Sequence, residues 1–182
     1  MKSSALLVTL SASLSACAMH RTAPLPQSIS AVEGKPSTLF ALRFIDAKLG
    51  TDVVMASHKC VYAHYTGWLT NGTKFDSSRD TTPDGKPRAP IAFAQGARRV
   101  IAGWDVGFEG MRVGGQRRLF IPYQLAYGET GRPPAIPVKA ALIFDVELMA
   151  VADTLSRADA TPRGQQALPP ACPTWAAVSA TK

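Results

Sequence analysis

Apolar side chains recur at every second position in Leu142, Phe144, Val146 and Leu148, interleaved with Ile143, Asp145, Glu147 and Met149. Successive side chains of an extended chain point to opposite faces, so this spacing predicts a strand over 140–151. The run KCVYAHYT at 59–66 predicts another, with Val61, Ala63 and Tyr65 on one face and Cys60, Tyr62 and His64 on the other. Further extended runs are expected at 39–45, 90–93 and 116–122, and at 73–75 after the hairpin signal Asn71-Gly72. Trp104, Phe108 and Met111 fall at i, i+4 and i+7, which marks one short amphipathic helix. Gly110 and Gly114-Gly115 oppose its continuation. Residues 77–90 carry Arg, Asp, Pro and Gly without a period and predict a long exposed loop. Many strands and one short helix imply an α+β domain with an antiparallel sheet, spanning 39–152.

The two ends of the chain lack these periods. Met1-Lys2 precedes a short apolar run from Ala5 to Leu14, too short to span a bilayer but suited to an export signal. Leu14-Ser15-Ala16-Cys17 resembles the bacterial lipobox, which implies cleavage of residues 1–16 and acylation of Cys17. An ordinary secretory signal cleaved near Ala16 or Ala18 is the alternative. Ala18 stands where inner-membrane retention would place Asp, so an outer-membrane lipoprotein facing the periplasm is expected. Residues 17–38 read as a Ser/Pro/Ala/Thr-rich tether, and 153–182 as a disordered tail.

Charge and composition narrow the function classes. The formal charge of +7 falls to +6 when Lys2 leaves with the signal, and no Lys/Arg run or basic aromatic stripe is present. Nucleic acid is therefore not an expected partner. His20, His58 and His64 lack ligand spacing, and there is no Cys-x-x-Cys or His-Glu-x-x-His, so neither metal nor cofactor is expected. Cys60 and Cys172 are an even pair that an oxidising compartment can bridge; two reduced thiols are the other reading.

More specific chemistry comes from short motifs in a fixed order. These are His64-Tyr65-Thr66-Gly67, Lys74-Phe75-Asp76-Ser77-Ser78-Arg79-Asp80, Val100-Ile101-Ala102-Gly103-Trp104, Gly110-Met111-x-Val113-Gly114, Ala126-Tyr127-Gly128 and Leu142 to Leu148. Together they resemble the FKBP-type peptidyl-prolyl isomerases, over more than half of the chain. That resemblance implies a twisted antiparallel sheet wrapped around one short helix. It also implies a pocket floored by Trp104 and walled by Tyr65, Phe75, Val100, Ile101, Tyr127 and Phe144, with Ile91 at a position where many members carry Phe. Asp76 matches the family's pocket carboxylate, while the Ile101 N–H and the Tyr127 hydroxyl match its donors to the bound peptide. Arg132 takes the loop position of a common His, in a flap that includes Ile136 and contacts the residue before proline. Leu125 replaces a frequent aromatic, and the 77–90 loop is longer than in the smallest members.

The implied function is acceleration of X-Pro isomerisation in extracytoplasmic polypeptides, with macrolide immunosuppressant-type compounds as possible ligands. Singly, Trp104, Phe75, Phe144, Val100 and Ile101 could each be core residues, and Asp76 a turn residue. A proline-binding module or folding chaperone with incidental isomerase activity is the alternative function. No long helical segment for dimerisation precedes the domain, so a monomer is expected.

Overall fold

The structure, a computed structural model, describes residues 28–30, 32–34, 37–39, 41–154 and 171–181. The expected signal, Cys17 and the first part of the tether lie outside the described residues. Seven strands form one antiparallel sheet: β1 (Ser37–Leu39), β2 (Leu42–Lys48), β3 (Cys60–Leu69), β4 (Lys74–Ser77), β5 (Ile91–Ala94), β6 (Gln116–Ile121) and β7 (Leu142–Ala152). Their order is β1-β2-β6-β7-β3-β4, and β5 also pairs with β3. The expected fold class is therefore observed.

The run expected at 39–45 is divided between the end of β1 and most of β2, because Ala41 adopts φ 65° and turns the chain between them. β3 is the pivot. It pairs along its whole length with β7, while its other edge is shared, Cys60 to Ala63 with β5 and Thr66 to Trp68 with β4. In the gap between them, Ser78 takes over the pairing. The Tyr65 N–H donates to Ser78 Oγ (2.8 Å), and the Ser78 N–H donates to the Tyr65 carbonyl (3.0 Å).

One short helix, α1 (Ala102–Gly107), lies across the inner face of the sheet. Glycine at 103 is what lets it lie so close: a Cβ there would stand 2.4 Å from the Ile121 side chain. The helix ends at Gly107, so of the three residues at helical spacing only Trp104 is within it; Phe108 and Met111 reach the core from the turn that follows. The carbonyls of Gly107 and Glu109 are taken by the guanidinium of Arg117 on β6, at 2.8 and 2.9 Å. Helix ends leave such carbonyls without intrahelical partners, and a buried one needs a donor from elsewhere. Arg117 also pairs with Asp46 and lies 4.0 Å from the centre of the Phe44 ring, so it fastens helix to sheet.

Both ends of the chain depart from expectation. Within the segment read as a tether, Ile29 is buried, the Ser28 hydroxyl donates to the Gly72 carbonyl at 2.9 Å, and the Ser30 carbonyl accepts from the buried guanidinium of Arg118. Residues 37–39 add β1 to the sheet. The stretch read as a disordered tail is ordered over 171–181 and contains a second helix, α2 (Trp175–Ser179), whose first turn is capped by Thr174. Cys172 is joined to Cys60 by a disulfide, the Tyr62 hydroxyl donates to the Pro173 carbonyl (2.7 Å), and Trp175 packs on the Tyr62 ring at 5.8 Å. The physical reason is that Cys60, Tyr62 and Ala150 make the outer face of β3 and β7 apolar, and this segment covers it.

Two outcomes test this docking. The bridge spans a sequence separation of 112 residues. Replacing both cysteines by alanine should lower unfolding free energy by about 2–4 kcal/mol, measured by denaturant titration. Burial raises the pKa of Tyr62 above its ordinary value. A raised phenol pKa contributes stability that is intact below the ordinary value near 10 and disappears as pH climbs through the folded value. Tyr62→Phe should therefore flatten part of the alkaline decline in melting temperature.

Candidate active site

Trp104, the one indole in α1, is buried beneath the sheet and surrounded by rings. Tyr65 and Phe144 meet it edge-on, with centroids at 5.0 and 5.2 Å, and Phe93 and Phe108 lie at 5.8 Å. Edge-to-face contacts of this kind set the positive rim of one ring against the negative face of another. Phe75 on β4 meets Phe144 on β7 at 5.5 Å and 90°. Gly67 on β3 makes room for that pair: a Cβ there would lie 2.6 Å from the Phe144 ring and 2.7 Å from the Phe75 ring.

Over this floor opens a cavity of about 200 Å³ lined by Tyr65, Phe75, Asp76, Ile91, Arg99, Val100, Ile101, Trp104, Tyr127, Arg132 and Phe144. Ile91 enters from β5, Val100 and Ile101 from the turn into α1, and Phe144 from β7. The structure thus brings together every residue expected at the pocket except Ile136. That side chain is buried in the core, and its backbone closes a loop with Arg132 through hydrogen bonds of 2.8 and 3.0 Å. A β-branched apolar residue under a loop gains more from burial than from a place on a wetted rim, so Ile136 supports Arg132 from below and does not line the cavity.

Polar groups at the cavity divide into satisfied and free. Asp76 accepts from the Tyr65 hydroxyl at 2.5 Å and from the Ser77 N–H at 2.9 Å, and faces Arg88 at 3.4 Å. Burial first, then the hydrogen bond to Asp76, pushes the Tyr65 phenol well above the ordinary tyrosine range, so it stays a donor. Asp76 is therefore an anchor for the Tyr65 ring, with its charge already engaged. By contrast, no described residue accepts from the Ile101 N–H or bonds the Tyr127 hydroxyl. The Trp104 Nε1 is buried and likewise without a partner. The turn that presents Tyr127 is fixed by the 3₁₀ segment Tyr123–Leu125, whose Tyr123 carbonyl accepts from Gly128 at 2.8 Å. Arg132 lies 5.9 Å from the centre of the Tyr127 ring.

Two residues at the site escaped the motif reading. Arg99 lines the cavity and Arg88 pairs with Asp76. The signal for the first was present, as Arg98-Arg99 immediately before Val100-Ile101; nothing local pointed to the second.

A larger cavity, about 300 Å³, lies on the outer face among His64, Trp68, Arg79, Arg118, Asp145 and Glu147. Its charges are matched internally, Arg118 with Asp145 and Arg79 with Glu147. Burial, and then the Arg79 charge, hold His64 below the ordinary imidazole value. Apart from the His64 imidazole, only Tyr65 and Trp68 bring rings to its lining, whereas Tyr65, Phe75, Trp104, Tyr127 and Phe144 wall the inner cavity, which is the candidate site.

Comparison with known proteins agrees. The family described as FKBP-type peptidyl-prolyl cis-trans isomerase matches residues 53–149. The chain is 50% identical over 93 residues to the FK506-binding protein of Neisseria meningitidis serogroup A, covering 51% of this chain and 80% of that one. It is 49% identical over 111 residues to FK506-binding protein 4 of Dictyostelium discoideum, covering 61% of this chain but only 28% of that protein. The solved structure of FkpA from Escherichia coli superposes with a TM-score of 0.57 at 33% identity, over 66% of this chain and 53% of that one. Ring-lined cavity, free donors and family match converge on one conclusion: the chain belongs to the FKBP-type peptidyl-prolyl cis-trans isomerases.

Proposed function

We propose that this protein accelerates cis–trans interconversion of X-Pro bonds in polypeptides outside the cytoplasm. The observation that carries this reading is the apolar, ring-walled cavity at which the Ile101 N–H and the Tyr127 O–H, like the buried Trp104 Nε1, have no partner among the described residues. Rotation about a peptide bond faces a barrier of about 18–20 kcal/mol because resonance gives the C–N bond double-bond character. At X-Pro bonds the isomers differ by only about 0.5–1 kcal/mol, so both are populated and exchange is slow.

The planar amide has more charge separation than the half-rotated one. Transfer from water to the cavity formed by Trp104, Tyr65, Phe75 and Phe144 therefore disfavours the planar form more than the rotated form. In this reading the Ile101 N–H and the Tyr127 O–H, both from residues that line the cavity, hold peptide carbonyls beside the rotating bond. Donors that fit the twisted geometry better than the planar one lower the barrier, and each 1.4 kcal/mol of that difference is worth about tenfold in rate. Asp76 takes part by fixing Tyr65 and so the shape of the wall.

The extracytoplasmic setting rests on two supports: the lipobox-like Leu14-Ser15-Ala16-Cys17 and the Cys60–Cys172 disulfide, a bond suited to an oxidising compartment. In this reading Cys17 has the lipid anchor, and several acyl chains at about 0.8 kcal/mol per buried CH₂ hold the domain at the outer membrane.

The purified chain should speed the proline-limited refolding of a test protein, and an FK506-type macrolide should abolish the effect by filling the cavity. Tyr127→Phe should reduce kcat/KM about threefold to tenfold, the value of one hydrogen bond. Refolding at the uncatalysed rate would remove the proposal. A variant that lost turnover yet kept its biological role, Asp76→Leu for example, would favour a proline-binding module instead. Cys17→Ser should shift the protein from the membrane to the soluble fraction, measured by fractionation and intact mass.

A further inference from the structure

The mouth of the cavity has an unbalanced charge. Asp76, the one carboxylate among its lining residues, is consumed by Tyr65, the Ser77 N–H and Arg88. Arg99 and Arg132 line the same cavity from exposed positions, and neither has a carboxylate partner among the described residues. Arg98, next to Arg99, is exposed and equally without an ion pair. The two lining cations belong to different elements. Arg99 precedes Val100 and Ile101 in the turn that presents the free N–H, and Arg132 lies against the ring of Tyr127, which presents the free O–H. A cation therefore accompanies each of the two donors.

We propose that Arg99 and Arg132 are specificity-determining residues that make this site select prolines flanked by an acidic side chain. The inference rests on the isomerase reading above and names its substrate class. A peptide held between the two donors has its neighbouring side chains directed toward the rim, where these guanidinium groups stand. One side of each interaction is the low-dielectric wall of rings, so charges interact more strongly there than in open water. Asp or Glu beside the proline brings these guanidinium groups the carboxylate partner that the described residues do not supply. Lys or Arg in that place meets like charge, and discrimination against such segments is as much part of the selectivity as attraction to acidic ones. Guanidinium suits the task because its planar fork matches a carboxylate and holds its charge at every working pH.

The test compares full-length protein acting on two sets of short peptides, with the variable residue before or after the proline. Each set contains Glu, its neutral isostere Gln, and Lys. In at least one set, kcat/KM for Glu should exceed that for Gln by about threefold to fivefold at low salt, as expected for pairs that remain partly solvated. Lys should fall below Gln. The Glu preference should shrink toward unity in 1 M salt, where screening acts over about 3 Å. It should also shrink in the Arg99→Gln, Arg132→Gln double variant. Equal rates for Glu and Gln in both sets, or a Glu preference that persists in the double variant, would overturn the proposal. Peptide affinity measured by calorimetry separates the two levels of the argument. No turnover of any peptide would sink the isomerase reading, whereas equal affinity for Glu and Gln peptides would sink the charge preference.

Discussion

The site depends on the packing of one indole between a short helix and a sheet. Trp104 can form a floor only because α1 lies close enough to β6 for its ring to reach Tyr65 and Phe144, and that closeness depends on the missing side chain at Gly103. Arg117 holds the far end of the helix through the Gly107 and Glu109 carbonyls. The ring contacts then fix the walls, since Phe144 is braced in turn by Phe75 over Gly67. Interiors packed at this density move little without loss of contact, so the cavity is a rigid consequence of the core.

Much of this was legible in the sequence. The two-residue period of Leu142 to Leu148 marked β7 and put Phe144 on the inner face, and the alternation in 60–65 separated Tyr65 from Cys60 and Tyr62 correctly. The ordered motifs then gathered almost the whole cavity lining, because those residues sit close to turns and strand ends whose local chemistry is distinctive. The failures share a cause. Ile136 was placed by its position in a flap, although the loop's own backbone closure turns it inward.

The chain ends were misread for a related reason. Residues 28–30 and 171–181 have little local period, and they are held by contacts far away in sequence: Arg118 to Ser30, Tyr62 to Pro173, and Cys60 to Cys172. Such partners are invisible to any window of ten or twenty residues. The apolar outer face of Cys60, Tyr62 and Ala150 was the available sign that something must cover it. Arg88 is nearer in sequence, but it reaches Asp76 across a loop whose residues carry no period to mark the approach.

The way β3 is enclosed also limits how a client can be held. One edge is fully paired with β7, and the other is occupied by β5, by Ser78 and by β4, so the main chain beside Tyr65 has no open ladder. A bound polypeptide cannot extend the sheet there, and its grip is confined to the few atoms that enter or border the ring-lined hollow. Such a small footprint reads a proline and its immediate neighbours and ignores the remainder of the sequence. On the proposed function, the site then acts on polypeptides that share little beyond a proline and the residues next to it.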